Sequence, residues 1–131
     1  MRTDAREAVL KILYSQIINP SDADTVKRSV LKKLSDDEFT FSAQLLQTIE
    51  EHSERIIQVI DQNISNFKQD RLFPVDRAIL TIAVAEILYF DDIPPVVSAN
   101  EATNIAQKYS TETSADFVGG VLSGVIKKCI Q

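Results

Sequence analysis

Glycine is nearly missing from this chain. Three glycines occur in 131 residues, and none precedes position 119. A phosphate-cradling loop needs glycines where a strand turns into a helix, so that kind of nucleotide site is excluded. Histidine and cysteine occur once each, as His52 and Cys129. No Cys/His cluster has zinc spacing, and no metal or cofactor is expected. One cysteine cannot form an internal disulfide, which fits a reducing, cytoplasmic setting. His52 lies in the polar run 50–55 and reads as a solvated surface histidine rather than a general base. Positive charge is also short: 14 Lys and Arg against 19 Asp and Glu leave a net charge of −5. Bulk charge therefore supplies no drive toward nucleic acid, and an RNA or DNA role needs a local patch or a partner. The opening MRTDAREAVL lacks a signal-peptide layout. No apolar run reaches the roughly 20 residues that span a bilayer. Nothing here points to an enzyme.

What is present is helix. Hydrophobic residues make up 44% and charged residues 25%, so a globular fold is expected, with residues 1–131 forming one domain. The organising stretch is 72–90, LFPVDRAILTIAVAEILYF. On a helical wheel Ile79, Leu80, Ile82, Ala83, Val84, Ala85, Ile87 and Leu88 point in nearly every direction. A helix apolar all round must be covered all round. The spacing therefore predicts an all-α bundle of about seven helices around this central one.

The other helices follow from caps and stripes. Thr3 or Asp4 opens a first helix to about Ile18, with Val9, Leu10, Ile12, Leu13 and Ile17 inward; Asn19-Pro20 ends it. Ser21 caps a second helix, with Val26, Val30, Leu31 and Leu34 inward. Ser35 with Glu38 matches a capping box and opens a third, burying Phe39, Leu45, Leu46 and Ile49. After a break with Ser53 as cap, Ile56, Ile57, Ile60 and Ile64 carry a fourth. Residues 65–72 read as a loop, and Pro74 suits the first turn of the central helix. Asp91, Asp92 and Ile93-Pro94-Pro95 form a turn, followed by a helix with Val96, Ala99, Ala102, Ile105, Ala106 and Tyr109 inward. Thr113 or Ser114 caps the last helix, whose apolar residues recur in pairs from Phe117-Val118 to Cys129-Ile130, with Cys129 a small core residue. All three glycines fall in this helix. Each costs about 0.5–1 kcal/mol relative to alanine, so a cause is needed. Close approach of Gly120 and Gly124 to the central helix is one; room for a ligand beside Gly119 is the other.

These residues carry a resemblance. Ala5-Arg6-Glu7 with Leu13-Tyr14 resembles the opening "AR..A...LY" of the NusB family of bacterial transcription antitermination factors. Asp76-Arg77-Ala78-Ile79-Leu80, Glu86-Ile87, Asp92-Ile93-Pro94 and Asn100-Glu101-Ala102 continue it in order. Phe117-Val118-Gly119-Gly120-Val121-Leu122 is similar to the family's "FVNGVL". Residues 20–70 align by helix count alone. The resemblance implies a seven-helix domain that binds a boxA-type RNA element with NusE, a ribosomal protein. It implies a place in the RNA polymerase antitermination complex during ribosomal RNA transcription.

The resemblance also implies an RNA-facing surface: Arg2, Arg6, Tyr14, Asp76, and the loop entering the last helix, with Thr113, Ser114 and Phe117. Two departures stand out. Few cations line the N-terminal arm, and an acidic residue frequent in relatives at position 113 is threonine here. Fewer cations weaken the sequence-independent phosphate contribution. Each residue has a structural alternative. Arg6 can pair with the buried Glu86, which needs a partner, or with Glu101. Tyr14 can be a half-buried core tyrosine, and Phe117 can belong to the core. Lys27, Arg28, Lys32 and Lys33 form a solvated face or an accessory RNA patch. Beside the antitermination reading stand a helical protein–protein module with little RNA affinity, and an RNA-recruiting domain like that attached to certain ribosomal RNA cytosine methyltransferases, of which no catalytic part is in the sequence. A homodimer stays open.

Overall fold

A computed structural model describes residues 2–64 and 72–129. Seven α-helices occur among the described residues: α1 (Arg2–Ile18), α2 (Ala23–Leu31), α3 (Asp36–Glu51), α4 (Ser53–Asn63), α5 (Pro74–Tyr89), α6 (Pro95–Tyr109) and α7 (Glu112–Cys129), with a 3₁₀ turn at Pro20–Asp22. The expected loop at 65–72 lies, apart from Leu72, outside the described residues. Helix α5 is the axis. Its Ala78, Ile79, Leu80, Ile82, Ala83, Val84, Ala85 and Ile87 are all buried, and it packs against α1, α3, α4, α6 and α7. Burial on every side follows from apolar residues on every side. Pro74 holds its first turn, where a missing N–H costs nothing.

Local chemistry sets the ends of the helices. Asn19 precedes Pro20 and α1 stops there. The capping box of α3 is present: Glu38 N–H donates to Ser35 Oγ at 3.3 Å, and Ser35 N–H donates to Glu38 Oε1 at 2.9 Å. Several expectations were displaced by a residue or two. Asp22, not Ser21, stands before α2, which buries Ala23 alone while Val26, Val30, Leu31 and Leu34 stay half-buried. Thr111, not Thr113 or Ser114, caps α7, its Oγ1 accepting from Ser114 N–H at 2.9 Å. Phe39 is 48% exposed and Phe41 takes the core position against α1 and α5. Likewise Ile57 is exposed and Val59 buried on α4, and Ile17 and Val96 face outward. These are register differences, since residues two apart on a helix lie on nearly opposite faces.

His52 and the glycines depart further. His52 ends α3 and begins α4, and its ring stacks on Tyr89 with centroids 3.9 Å apart and planes at 15°. It is half-buried against an aromatic face rather than solvated. Gly120 is exposed, and a Cβ there would meet nothing within 4 Å, so it makes no close approach to α5. A Cβ on Gly124 would come within 2.8 Å of Asn63 Oδ1, so this glycine admits α4 instead. A Cβ on Gly119 would sit 3.3 Å from Thr103 Cγ2, a helix contact with α6 and no room for a ligand. Cys129 is half-buried against the core, as a small apolar residue would be.

Candidate nucleic-acid interface

Beneath the surface, charge is tied up in structure. Arg6 is 4% exposed and Glu86 1%. Arg6 Nε donates to Glu86 Oε2 and its Nη2 to Oε1, each at 2.7 Å, a two-pronged pair joining α1 to α5. Ser98 Oγ donates to Glu86 Oε1 at 2.9 Å from α6. Phe41 lies under the guanidinium, 5.3 Å from its ring centroid. Glu101 is a distant second partner at 3.9 Å. A carboxylate in an apolar helix has to be paired, and a fork-shaped guanidinium satisfies both oxygens. The structural alternative for Arg6 therefore describes its position: its charge faces inward.

Arg2 lies one turn before Arg6, over the same Phe41 ring. Its guanidinium rests 4.6 Å from the Phe41 ring centroid and 3.6 Å from Asp92. It lines a groove with Ser35, Asp37 and Gln44. Twelve residues of helix, about 18 Å, separate it from Tyr14. The two do not share a surface pocket.

Tyr14 does open onto one. A groove of about 420 Å³ is lined by Leu10, Lys11, Tyr14, Phe73, Pro74, Val75, Tyr109 and Ser110. Its walls are the middle of α1, the entry to α5 and the end of α6. Tyr14 is 41% exposed and Phe73 56%. Sequence reasoning missed Phe73. The available signal was a large aromatic side chain placed immediately before Pro74 at a helix start, where nothing in the helix can cover it. Tyr109 is held from below. Its hydroxyl donates to Glu7 Oε1, and Lys108 Nζ donates to the same carboxylate at 2.9 Å. Burial pushes the Glu7 carboxyl up, but the Tyr109 and Lys108 donors outweigh it and hold the group below its ordinary value. Glu7 in turn raises Lys108 and Tyr109.

The remaining sequence candidates gather at the α6–α7 junction. Asp76 and Ser114 are 3% and 5% exposed. Ser114 Oγ donates to Asp76 Oδ2 at 2.9 Å, and Ser110 Oγ donates to Ser114 Oγ at 2.9 Å. Thr113 is exposed beside them, and Phe117 is half-buried against the core. The structure thus brings Tyr14, Asp76, Thr113 and Ser114 to one end of the bundle and leaves Arg2 apart. Among the described residues, no group of three or more His, Cys, Asp or Glu could hold a metal ion. No helix among the described residues is long and apolar enough to cross a membrane.

Fold and groove define a class: an all-helical bundle domain with an aromatic-lined groove on its outer face. The NusB family model matches residues 3–127, nearly the whole chain. The chain therefore belongs to the NusB family. It is 36% identical over 129 residues to the transcription antitermination protein NusB of Natranaerobius thermophilus, covering 95% of this chain and 93% of that one. The fold is similar to T. maritima NusB, with a TM-score of 0.87, 29% identity and coverage of 98% and 92%. It is similar also to the antitermination factor NusB solved with NusE and double-stranded RNA, with a TM-score of 0.83, 26% identity and 96% coverage of both chains.

Proposed function

We propose that this chain is a transcription antitermination factor that binds boxA-type RNA together with NusE in the cytoplasm, during ribosomal RNA transcription. One observation carries the reading: its fold matches, end to end, that of a NusB solved with NusE and RNA. The groove supplies a chemical basis. Tyr14 and Phe73 present aromatic faces on which unstacked bases can lie, and stacking accepts any base. Lys11 lines the same groove and offers a cation to phosphate. Thr113, exposed next to Ser114, is a polar contact. Arg2 is a peripheral phosphate contact. Asp76 and Ser114 support its Ser110 wall, while Arg6 serves as the structural partner of Glu86.

The charge distribution explains why a partner belongs in the mechanism. Arg6 is consumed by Glu86, Arg2 lies beside Asp92, and Lys108 is bound to Glu7. Phosphate affinity scales with the cations free to displace counterions. The chain reads bases and shape, and the partner supplies much of the positive surface. The same locked charges favour the second reading, a protein–protein module with little RNA affinity of its own. Titration of boxA-type RNA into the NusE complex of Tyr14→Ala and Phe73→Ala variants tests the proposal. Each stacking contact contributes about 1–3 kcal/mol, so each variant should weaken binding roughly 5- to 150-fold with the fold unchanged. Unchanged affinity in both variants would remove the groove from the account.

A further inference from the structure

Asp76 shares the RNA-facing end of the bundle but is buried. Its Oδ2 accepts from Ser114 Oγ, and its Oδ1 has no hydrogen-bond partner among the described residues. A carboxylate only accepts, so the direction of the chain is fixed: Ser114 donates to Asp76, and Ser110 donates to Ser114. Three helices meet in these two bonds. Asp76 is in the first turn of α5, Ser110 follows the end of α6, and Ser114 is in the first turn of α7. Ser110 also lines the aromatic groove, together with Tyr14 and Pro74. Thr111 completes the junction by capping α7, accepting from Ser114 N–H through its Oγ1 and from Ala115 N–H through its carbonyl.

We propose that Asp76 and Ser114 are positioning residues. They bolt the α6–α7 junction to the entry of α5, and so fix the Ser110 wall of the groove and the exposed Thr113 in place for a bound nucleotide. The role rests on the RNA-binding reading above. Asp76 is suited to the task because the amino-terminal turn of α5 favours a negative charge, and because burial makes its one donor hard to replace. The polarity of the chain matters too. Ser114 spends its only proton on Asp76, so Ser110 must turn its own proton toward Ser114, and the junction has one arrangement rather than several.

The test compares Asp76→Ala, Asp76→Asn, Ser114→Ala and the Asp76→Ala/Ser114→Ala double variant. Two readouts are used: affinity for a boxA-type RNA oligonucleotide in complex with NusE, and amide hydrogen exchange across α7 without RNA. Asparagine keeps an acceptor for the Ser114 hydroxyl but carries no charge. A positioning role predicts that Asp76→Ala and Ser114→Ala each lose roughly tenfold in affinity, the scale of one misplaced hydrogen-bonding contact. It predicts that the double variant loses no more than either single, because both break the same bolt. It predicts that Asp76→Asn stays close to wild type. Exchange at Ser114 and Ala115 should speed up in the two alanine variants and return toward wild type in Asp76→Asn. Asp76→Asn as weak as Asp76→Ala, with Ser114→Ala unaffected, would overturn the proposal in favour of direct contact by the Asp76 carboxylate. Unchanged exchange in the alanine variants would overturn it as well. A wild-type chain that binds no RNA with NusE sinks the functional reading and the role toward RNA with it; the exchange arm still reports separately whether the bolt exists.

Discussion

Replacing Arg6 with alanine should damage the fold before it damages any binding. The substitution leaves Glu86, 1% exposed, with a single neutral donor, Ser98, for two carboxylate oxygens. Removing one partner of a buried ion pair costs about 3–5 kcal/mol, because a charge stays behind without compensation. The Arg6 stem and its contact with Phe41 are lost as well. Unfolding entropy scales with length, and for a chain of 131 residues 1 kcal/mol corresponds to about 3–4 °C in Tm. The expected fall is then about 10–18 °C. A second variant separates the lost pair from lost packing. Arg6→Met with Glu86→Leu removes both charges and keeps apolar volume, and such exchanges are often neutral or stabilising. Thermal melts followed by circular dichroism, with urea titrations for the free energies, read both. A single variant that melts within about 2 °C of wild type would refute the reasoning. So would a double variant as unstable as the single one, since the penalty would then not come from the stranded charge.

Gly124→Ala should destabilise by about 1–3 kcal/mol, since the new methyl must displace an Asn63 amide that is anchored to Val59 carbonyl at 2.8 Å. Gly120→Ala should instead stabilise by about 0.5–1 kcal/mol, because its Cβ enters open space on a helix; paired melting curves decide both signs. Glu7 carries the pH prediction. Its folded carboxyl is held below the ordinary value of 4.5, so its stabilising contribution is present above that pH and is lost as the pH falls through the lower folded value. Wild type should therefore lose its advantage over Glu7→Gln as the pH falls below about 4.5, and an advantage that stays constant down to pH 2 would contradict the Tyr109–Lys108 cluster.

The axis of the fold was legible because α5 is apolar on all its faces, and only one kind of environment suits such a helix. Asn19-Pro20 and the Ser35–Glu38 box were legible because their signals are local. Phe39 against Phe41 and Ile57 against Val59 were not. In each case two large apolar residues lie two apart, and which of them faces inward depends on how the helix rolls against its neighbours. The glycines show the same limit: three in one helix announced a close approach, but Asn63 and Thr103, which make the approach at Gly124 and Gly119, come from segments distant in sequence. Within the site, Glu86, the one acid in the apolar run from Ile79 to Phe90, asked for a cation, and Arg6 was in reach of that reading. Asp76 carried no such signal, being an ordinary acid in a helix's first turn. Its link to Ser114 spans 38 positions and depends on the way α7 enters the bundle.

The most direct measurement is a paired titration of boxA-type RNA against this chain, alone and with NusE, over a range of salt concentrations. Weak binding alone, with a shallow salt slope, and a large gain with a steeper slope in the presence of NusE are the expected results. Tight, strongly salt-dependent binding by the chain without NusE would contradict the account, because Arg6, Arg2 and Lys108 are already held by Glu86, Asp92 and Glu7 and the groove itself is lined by one cation, Lys11.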